Sequence, residues 1–160
     1  MHRIIAVEIQ NPKNPDRKGR AAGLLAHWGL ERLFSADQVL ATIDTYRQWI
    51  ENKFTPTQQF IEVPFTHTTP AGQHATGFID HLLLTPKGPV ILDHKIFPGP
   101  KIMWEKTALS YSGQLDLYQQ VVLAEYPDQL AAECWIHLVS SAAATRVSAL
   151  HPSASPVHAA

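Results

Sequence analysis

Two apolar runs separated by a short turn signal dominate the middle of the chain. The runs cover residues 75–84 and 90–97, and both are rich in aliphatic and β-branched side chains. Between them lies Thr85-Pro86-Lys87-Gly88, where proline second and glycine fourth are the residues that a type I turn prefers. The pattern predicts two antiparallel strands joined as a hairpin.

Three charged residues interrupt these apolar runs. Because side chains alternate between the two faces of a strand, Asp80 is predicted to share a face with Leu82. By the same alternation, Asp93 and Lys95 share a face of the second strand with Ile91. Burial of an unpaired carboxylate is unfavourable. Either the aspartates form a structural ion pair with Lys95, or they bind a ligand.

The rest of the periodicity predicts an α/β fold. Ser35 and Gln38 have the spacing of a capping box, which marks the start of a helix. Helices are predicted over residues 20–34, 35–52 and 110–126, and further strands over residues 58–67 and 134–139. The predicted order is α-α-β-β-β-α-β, which favours a mixed central sheet flanked by helices.

The composition changes near residue 142. The whole sequence has 160 residues, of which 45% are hydrophobic, and this is enough for one domain with a core. After residue 142, Ala, Ser, Pro and His dominate, which is typical of segments that cannot form a core. We therefore predict a single domain over residues 1–142 and a disordered tail over residues 143–160.

Two of the predicted helices carry polar residues on one face. In the first, Gly23, Ala26, His27 and Leu30 recur at helical spacing, so His27 is predicted to face inward. A histidine on an apolar face is more often a core residue than a ligand. In the last predicted helix, Tyr111, Gln114 and Tyr118 fall on a single face.

Charge and cysteine content limit the classes of function. The formal net charge is -1, so no overall basic excess attracts nucleic acid. The single cysteine, Cys134, excludes an internal disulfide framework and a four-cysteine iron-sulfur cluster, and a cytoplasmic protein is expected. No apolar run approaches the roughly 20 residues of a membrane span. The sequence contains no G-x-x-x-x-G-K-[ST] motif, so no nucleotide cofactor is expected.

The acidic hairpin resembles the active site of the PD-(D/E)XK nucleases. Asp80, followed by Asp93-x-Lys95, has the pattern of that superfamily. The segments Gly23-Leu24-Leu25-Ala26-His27 and Tyr111-x-x-Gln114-x-x-x-Tyr118 are similar to those of its RecB/AddA branch, and the resemblance covers residues 19–139. It implies a restriction-endonuclease-like core and a metal-dependent exonuclease unit that acts in DNA repair, recombination or degradation.

The resemblance also implies a role for each site residue. Mg²⁺ or Mn²⁺ would be bound by a set of four ligands: His27, Asp80, Asp93 and the backbone carbonyl of His94. Lys95 would orient the attacking water or stabilise charge in the transition state. Gln114 and Tyr118 would position Lys95 or a phosphate group. Together with Asp80, Asp93 and Lys95, they form the expected catalytic set.

DNA is the expected partner. Because the surface charge is near neutral, a helicase domain or subunit is expected to deliver the DNA. A non-catalytic DNA-holding or assembly module of the same fold is the alternative, and a metalloenzyme acting on a small phosphorylated substrate is a third interpretation. Two residues have two interpretations each. Glu62 is either an acid near the site or a surface glutamate, and Trp104 either stacks on a base or anchors a long loop.

Overall fold

The computed structural model describes residues 2–68, 72–141 and 143–148. The helices are α1 (His2–Gln10), α2 (Arg17–His27), α3 (Ala36–Phe54), α4 (Trp104–Ser110) and α5 (Ser112–Glu125). The strands are β1 (Gln58–Thr68), β2 (His74–Thr85), β3 (Gly88–Lys95), β4 (Glu133–Leu138) and β5 (Ala143–Val147). Short 3-10 turns at Lys101–Met103 and Val139–Ser141 precede α4 and β5.

The five described strands form one mixed sheet in the order β1-β2-β3-β4-β5. The pairs β1–β2, β2–β3 and β4–β5 are antiparallel, whereas β3 and β4 run parallel. A parallel pair needs a crossover connection, which α4 and α5 supply. The predicted α/β class with a mixed sheet and flanking helices is confirmed.

The central hairpin forms as its turn chemistry predicts. Thr85 pairs with Gly88 at the end of the ladder, and the Thr85 hydroxyl accepts a hydrogen bond from the Lys87 amide at 3.1 Å and donates one to the Gly88 carbonyl at 2.8 Å. Gly88 has φ +115, a value that residues with a Cβ rarely adopt. The turn therefore fixes the register of β2 against β3.

Apolar side chains cover both faces of the sheet. On one face, α4 and α5 bury a cluster that includes Leu82, Ile91, Leu115, Val122 and Ile136. On the other face, α1, α2 and α3 bury a cluster that includes Ile4, Leu25, Ile43, Leu83 and Leu92. The two clusters make β3 a central strand that is buried from both sides.

The N-terminal helix α1 was not predicted. Its Glu8 side chain is fully buried, and it accepts hydrogen bonds from Arg17 at 2.9 Å and from Arg20 at 2.8 Å. These two arginines belong to α2, which begins at Arg17 rather than at residue 20 and ends at His27 rather than at residue 34. The chain leaves the helix there because Gly29 takes a positive φ of 65.

The predicted boundary at residue 142 is wrong. Residues 143–147, assigned to the tail, form strand β5, which pairs with β4 from Leu138↔Ala143 to Cys134↔Val147. Val147 is buried in the cluster under α4 and α5. An edge strand of small residues is specified by its neighbour's hydrogen bonds and by one buried side chain, so composition alone does not reveal it. Residues 149–160 of the predicted tail lie outside the described residues.

A pair of truncations measures the contribution of β5. A chain that ends at residue 142 should unfold at a lower temperature than one that ends at residue 148. The shorter chain exposes the edge of β4 and loses the burial of Val147, worth about 2 kcal/mol for a valine side chain. Thermal unfolding followed by circular dichroism is the measurement. Equal midpoints for the two chains would contradict the assignment of β5 to the domain.

Candidate functional site

The two aspartates come together at the open end of the hairpin. The β2–β3 ladder ends at His81↔Leu92, so the next residues, Asp80 and Asp93, lie directly beyond the last pair on adjacent strands. Asp80 is half-buried, and Asp93 is buried at 1% exposure. The hairpin therefore places the two acids at the same end of the β2–β3 pair.

Asp80 is held by the backbone of the neighbouring strand. Its carboxylate accepts a hydrogen bond from the His94 amide N–H at 2.8 Å. This bond continues the connection between β2 and β3 where the regular ladder has ended. The orientation of the Asp80 carboxylate therefore depends on the position of the His94 main chain.

Asp93 is paired with Lys95 on the same strand. The two residues are one pleat apart, so their side chains share a face, and the Lys95 Nζ lies 2.7 Å from a carboxylate oxygen of Asp93. The ammonium group also lies 4.6 Å from the centroid of the Tyr111 ring, a cation–π distance. Opposite charge and the aromatic face together fix the Lys95 side chain.

Helix α5 directs its predicted polar face toward these acids. The Gln114 amide donates a hydrogen bond to the Tyr118 hydroxyl at 2.5 Å. Burial raises the pKa of Tyr118, the hydrogen bond from Gln114 lowers it, and the nearby charges of Asp93 and Asp80 raise it further. The structure thus brings together Asp80, Asp93 and Lys95 with Gln114, Tyr118 and Tyr111.

His27 does not face inward, so that prediction is wrong. Its side chain is exposed at the last residue of α2, with an edge contact to Trp28 whose ring centroid lies 5.9 Å away. Ala21 and Leu25, rather than Gly23 and His27, are the buried residues of this helix. The burial of Ala21 and Leu25 sets the rotation of α2, and His27 falls on the solvent side. Its role as a ligand remains a prediction.

The two residues with open interpretations lie in different settings. Glu62 lies opposite Asp80 in the β1–β2 register, between Ile61↔His81 and Val63↔Ile79, and has a positive φ of 50. Its carboxylate pairs with Arg3 at 2.7 Å. Trp104 packs against the core under α4 and α5, and its indole N–H donates to the Gly99 carbonyl at 3.3 Å. These contacts favour an anchoring role for Trp104 over base stacking.

Sequence reasoning missed a group of buried polar residues on the opposite face of the sheet. We call it the histidine cluster: His81, His94, His137 and Tyr46, all at most 3% exposed. Burial lowers the pKa of His81 to about 3, and the neighbouring His137 contributes to that shift. The signal was present in the sequence, because His81 and Leu83, Leu92 and His94, and Trp135 and His137 each have the spacing of one strand face.

Within the described residues, no group of three or more His, Cys, Asp or Glu side chains is arranged to hold a metal ion. The predicted ligands that lie together are the two carboxylates and the main chain of His94.

Across the same described part of the chain, no helix is long and apolar enough to cross a membrane.

The sequence matches no protein-family model and no curated protein. The functional argument therefore depends on the chemistry and geometry of the residues described above.

A double-mutant cycle should measure the ion pair between Asp93 and Lys95. Lys95→Met keeps most of the apolar stem but leaves a carboxylate of 1% exposure without this cation, so it should destabilise the metal-free protein by about 3 kcal/mol. Asp93→Asn should cost less, because the Lys95 ammonium, at 18% exposure, can turn toward solvent.

Urea unfolding of both single variants and of the double variant gives the coupling free energy. The double variant should be more stable than Lys95→Met alone. Additive losses in the cycle would show that the two groups do not stabilise each other.

Proposed function

We propose that this chain is a metal-dependent DNA nuclease of the PD-(D/E)XK type, acting as the nuclease unit of a RecB/AddA-like exonuclease in DNA repair, recombination or degradation. The observation that carries the proposal is the buried Asp93–Lys95 pair, with a distance of 2.7 Å, beside Asp80 at the end of the hairpin. The facing residues of α5 add hydrogen-bonding groups of the type that a phosphodiester substrate requires.

The donor set fits a hard divalent cation. Asp80, Asp93 and the backbone carbonyl of His94 would hold Mg²⁺ or Mn²⁺ through oxygen ligands, with water completing the octahedron. When bound, the ion would neutralise charge on phosphoryl oxygens and lower the pKa of a coordinated water. Burial of a carboxylate to 1% exposure, as at Asp93, is favourable only near positive charge, which Lys95 supplies and which a bound cation would reinforce.

Lys95 supplies positive charge to the reacting phosphate. In the hydrolysis, a water oxygen bonds to phosphorus, the bond to the leaving oxygen breaks, and the leaving oxygen takes up a proton. Negative charge on the phosphoryl oxygens is redistributed during this step, and a fixed ammonium stabilises it. The Tyr111 ring, whose centroid lies 4.6 Å from the Lys95 Nζ, favours this position of the ammonium group.

Tyr118 and Gln114 act as positioning groups. The raised pKa of Tyr118 keeps its hydroxyl protonated at neutral pH. Because the Gln114 amide donates to the hydroxyl oxygen, the hydroxyl proton remains available to a phosphate oxygen or to an aspartate. The pair therefore offers a donor within electrostatic range of the acidic end of the hairpin.

The alternative is a non-catalytic DNA-holding or assembly module. Two features favour that alternative. The Asp93–Lys95 pair is already neutral overall, and because His27 is exposed, only Asp80 and Asp93 of the predicted side-chain ligands lie at the site. In either case the net charge of -1 supports delivery of DNA by a helicase domain or subunit.

Replacement of Lys95 separates the two functions. For a nuclease, Lys95→Ala should slow cleavage by about 10² or more with little change in DNA affinity, because the lost interaction strengthens in the transition state. For a holding module, the same change should weaken binding and reduce its salt dependence by about one counterion.

The measurement pairs the cleavage rate at saturating DNA with affinity across a salt series, using linear and circular DNA, single- and double-stranded. Lys87→Ala is the matched control, because it removes the same charge from the turn at the other end of the hairpin. Cleavage by Lys95→Ala at the wild-type rate, or no metal-dependent cleavage of any DNA form with or without a helicase partner, would reject the nuclease.

The metal preference tests His27. Imidazole binds Mn²⁺ better than Mg²⁺, so His27→Ala should weaken Mn²⁺ binding more than Mg²⁺ binding if the exposed ring reaches the cation. A change of its rotamer costs no core contact, since the side chain lies outside the core. Calorimetric titration of each ion into the wild type, His27→Ala and the control His74→Ala decides whether His27 is a ligand. Identical affinities for the wild type and His27→Ala would remove His27 from the ligand set.

A further inference from the structure

The histidine cluster has a defined direction of hydrogen bonding along one of its branches. The Gln59 amide nitrogen donates to Glu51 at 3.0 Å, so the Gln59 amide oxygen faces His81 Nε2 at 3.2 Å. His81 Nε2 therefore carries the proton, and His81 Nδ1 accepts the hydroxyl proton of Tyr46 at 2.9 Å. This branch fixes Tyr46 in one orientation inside the core.

The second branch connects the two remaining histidines. The Nδ1 atoms of His94 and His137 lie 3.0 Å apart, so one ring donates its proton to the other. Tyr46 stacks on the His137 ring at a centroid distance of 4.2 Å and an interplanar angle of 18°, and meets the His94 ring edge-on at 5.1 Å. The His94 ring is thus held by a hydrogen bond to His137 and by edge contacts with the Tyr46 and His137 rings.

His94 connects this cluster with the acidic site. Its ring belongs to the face of the sheet that α3 covers, whereas its backbone N–H donates to the Asp80 carboxylate at 2.8 Å. The Asp80 charge also contributes to the raised pKa of Tyr46, after the larger effect of burial, so the two groups lie within electrostatic range. The ring and the amide belong to one residue whose backbone lies in the β3–β4 ladder, so the contacts that hold the ring also restrain the amide that orients Asp80.

We propose that His137 is a positioning residue for the Asp80 carboxylate, acting through the ring and then the backbone amide of His94. The functional part of the proposal rests on the proposed function, in which Asp80 is a metal ligand. Outer hydrogen-bond partners of this kind hold a ligand in the geometry that the cation requires, and their replacement typically lowers metal affinity by about 10–100-fold.

Two polar substitutions test the proposal without creating an apolar core. The amide group of an asparagine can occupy the position of a histidine Nδ1, whereas the amide of a glutamine lies one bond further from the backbone. His137→Gln should therefore weaken binding of Mn²⁺ alone by about 10-fold or more. His137→Asn should stay within about threefold of the wild type, because its amide can replace the Nδ1 hydrogen bond to His94. Trp135→Phe, on the same strand and face, is the control for general loosening of this core.

The first readout is the hydrogen exchange rate of the His94 amide in the metal-free protein, measured by NMR. Faster exchange in His137→Gln than in His137→Asn and Trp135→Phe is expected, because only the first variant loses the Nδ1–Nδ1 hydrogen bond to His94. The second readout is calorimetric titration with Mn²⁺, and the third is cleavage of DNA at saturating Mn²⁺, which His137→Gln should slow if Asp80 is displaced.

Equal His94 exchange in both His137 variants, or equal losses in Trp135→Phe, would overturn the positioning role. Wild-type protein that binds no Mn²⁺ would instead reject the metal site of the proposed function. In that case the exchange rates still decide whether His137 holds the His94 amide.

Discussion

The buried carboxylate of Asp93 is the constraint on which the rest of the site depends. At 1% exposure it has lost its hydration, and the Lys95 ammonium group lies 2.7 Å from one of its oxygens. Removal of such a charge from water costs several kcal/mol in real proteins, so the surrounding structure must hold the partner in place. Tyr111 does so from the junction of α4 and α5. The crossover that makes β3 and β4 parallel therefore also completes the electrostatics of the hairpin.

Strand β3 contributes functional or core side chains to both faces of the sheet. Asp93 and Lys95 point toward the side covered by α4 and α5, whereas Leu92 and His94 point toward the side covered by α3. The His94 backbone lies between these environments and binds the Asp80 carboxylate. The acidic end of the hairpin is thereby connected to the histidine cluster on the other face of the sheet.

Local patterns predicted the hairpin and the face of α5 well. The turn at residues 85–88 and the alternation around Asp93 depend on short-range chemistry, and the structure has both. The spacing of Tyr111, Gln114 and Tyr118 likewise predicted a single face, because a helix repeats every 3.6 residues. The alternation around Asp80 is broken, because Ile79 and Leu82 lie in the same cluster and Glu62 on the paired strand has a positive φ.

The errors arose where distant contacts decide the structure. The rotation of α2 depends on Ala21 and Leu25 packing against other helices, which a stripe that included His27 did not reveal. Helix α1 depends on the ion pairs of Glu8 with residues of α2, and β5 depends on hydrogen bonds to β4. In each case the deciding partner lies elsewhere in the chain, beyond the reach of periodicity.

The most direct test of the acidic hairpin as a cation site is anomalous diffraction from crystals soaked in Mn²⁺. The account predicts one strong peak within about 2.2 Å of oxygens from Asp80, Asp93 and the His94 carbonyl, and its loss in crystals of Asp80→Ala. A peak at the histidine cluster with none at the aspartates, or no peak at either, would contradict it.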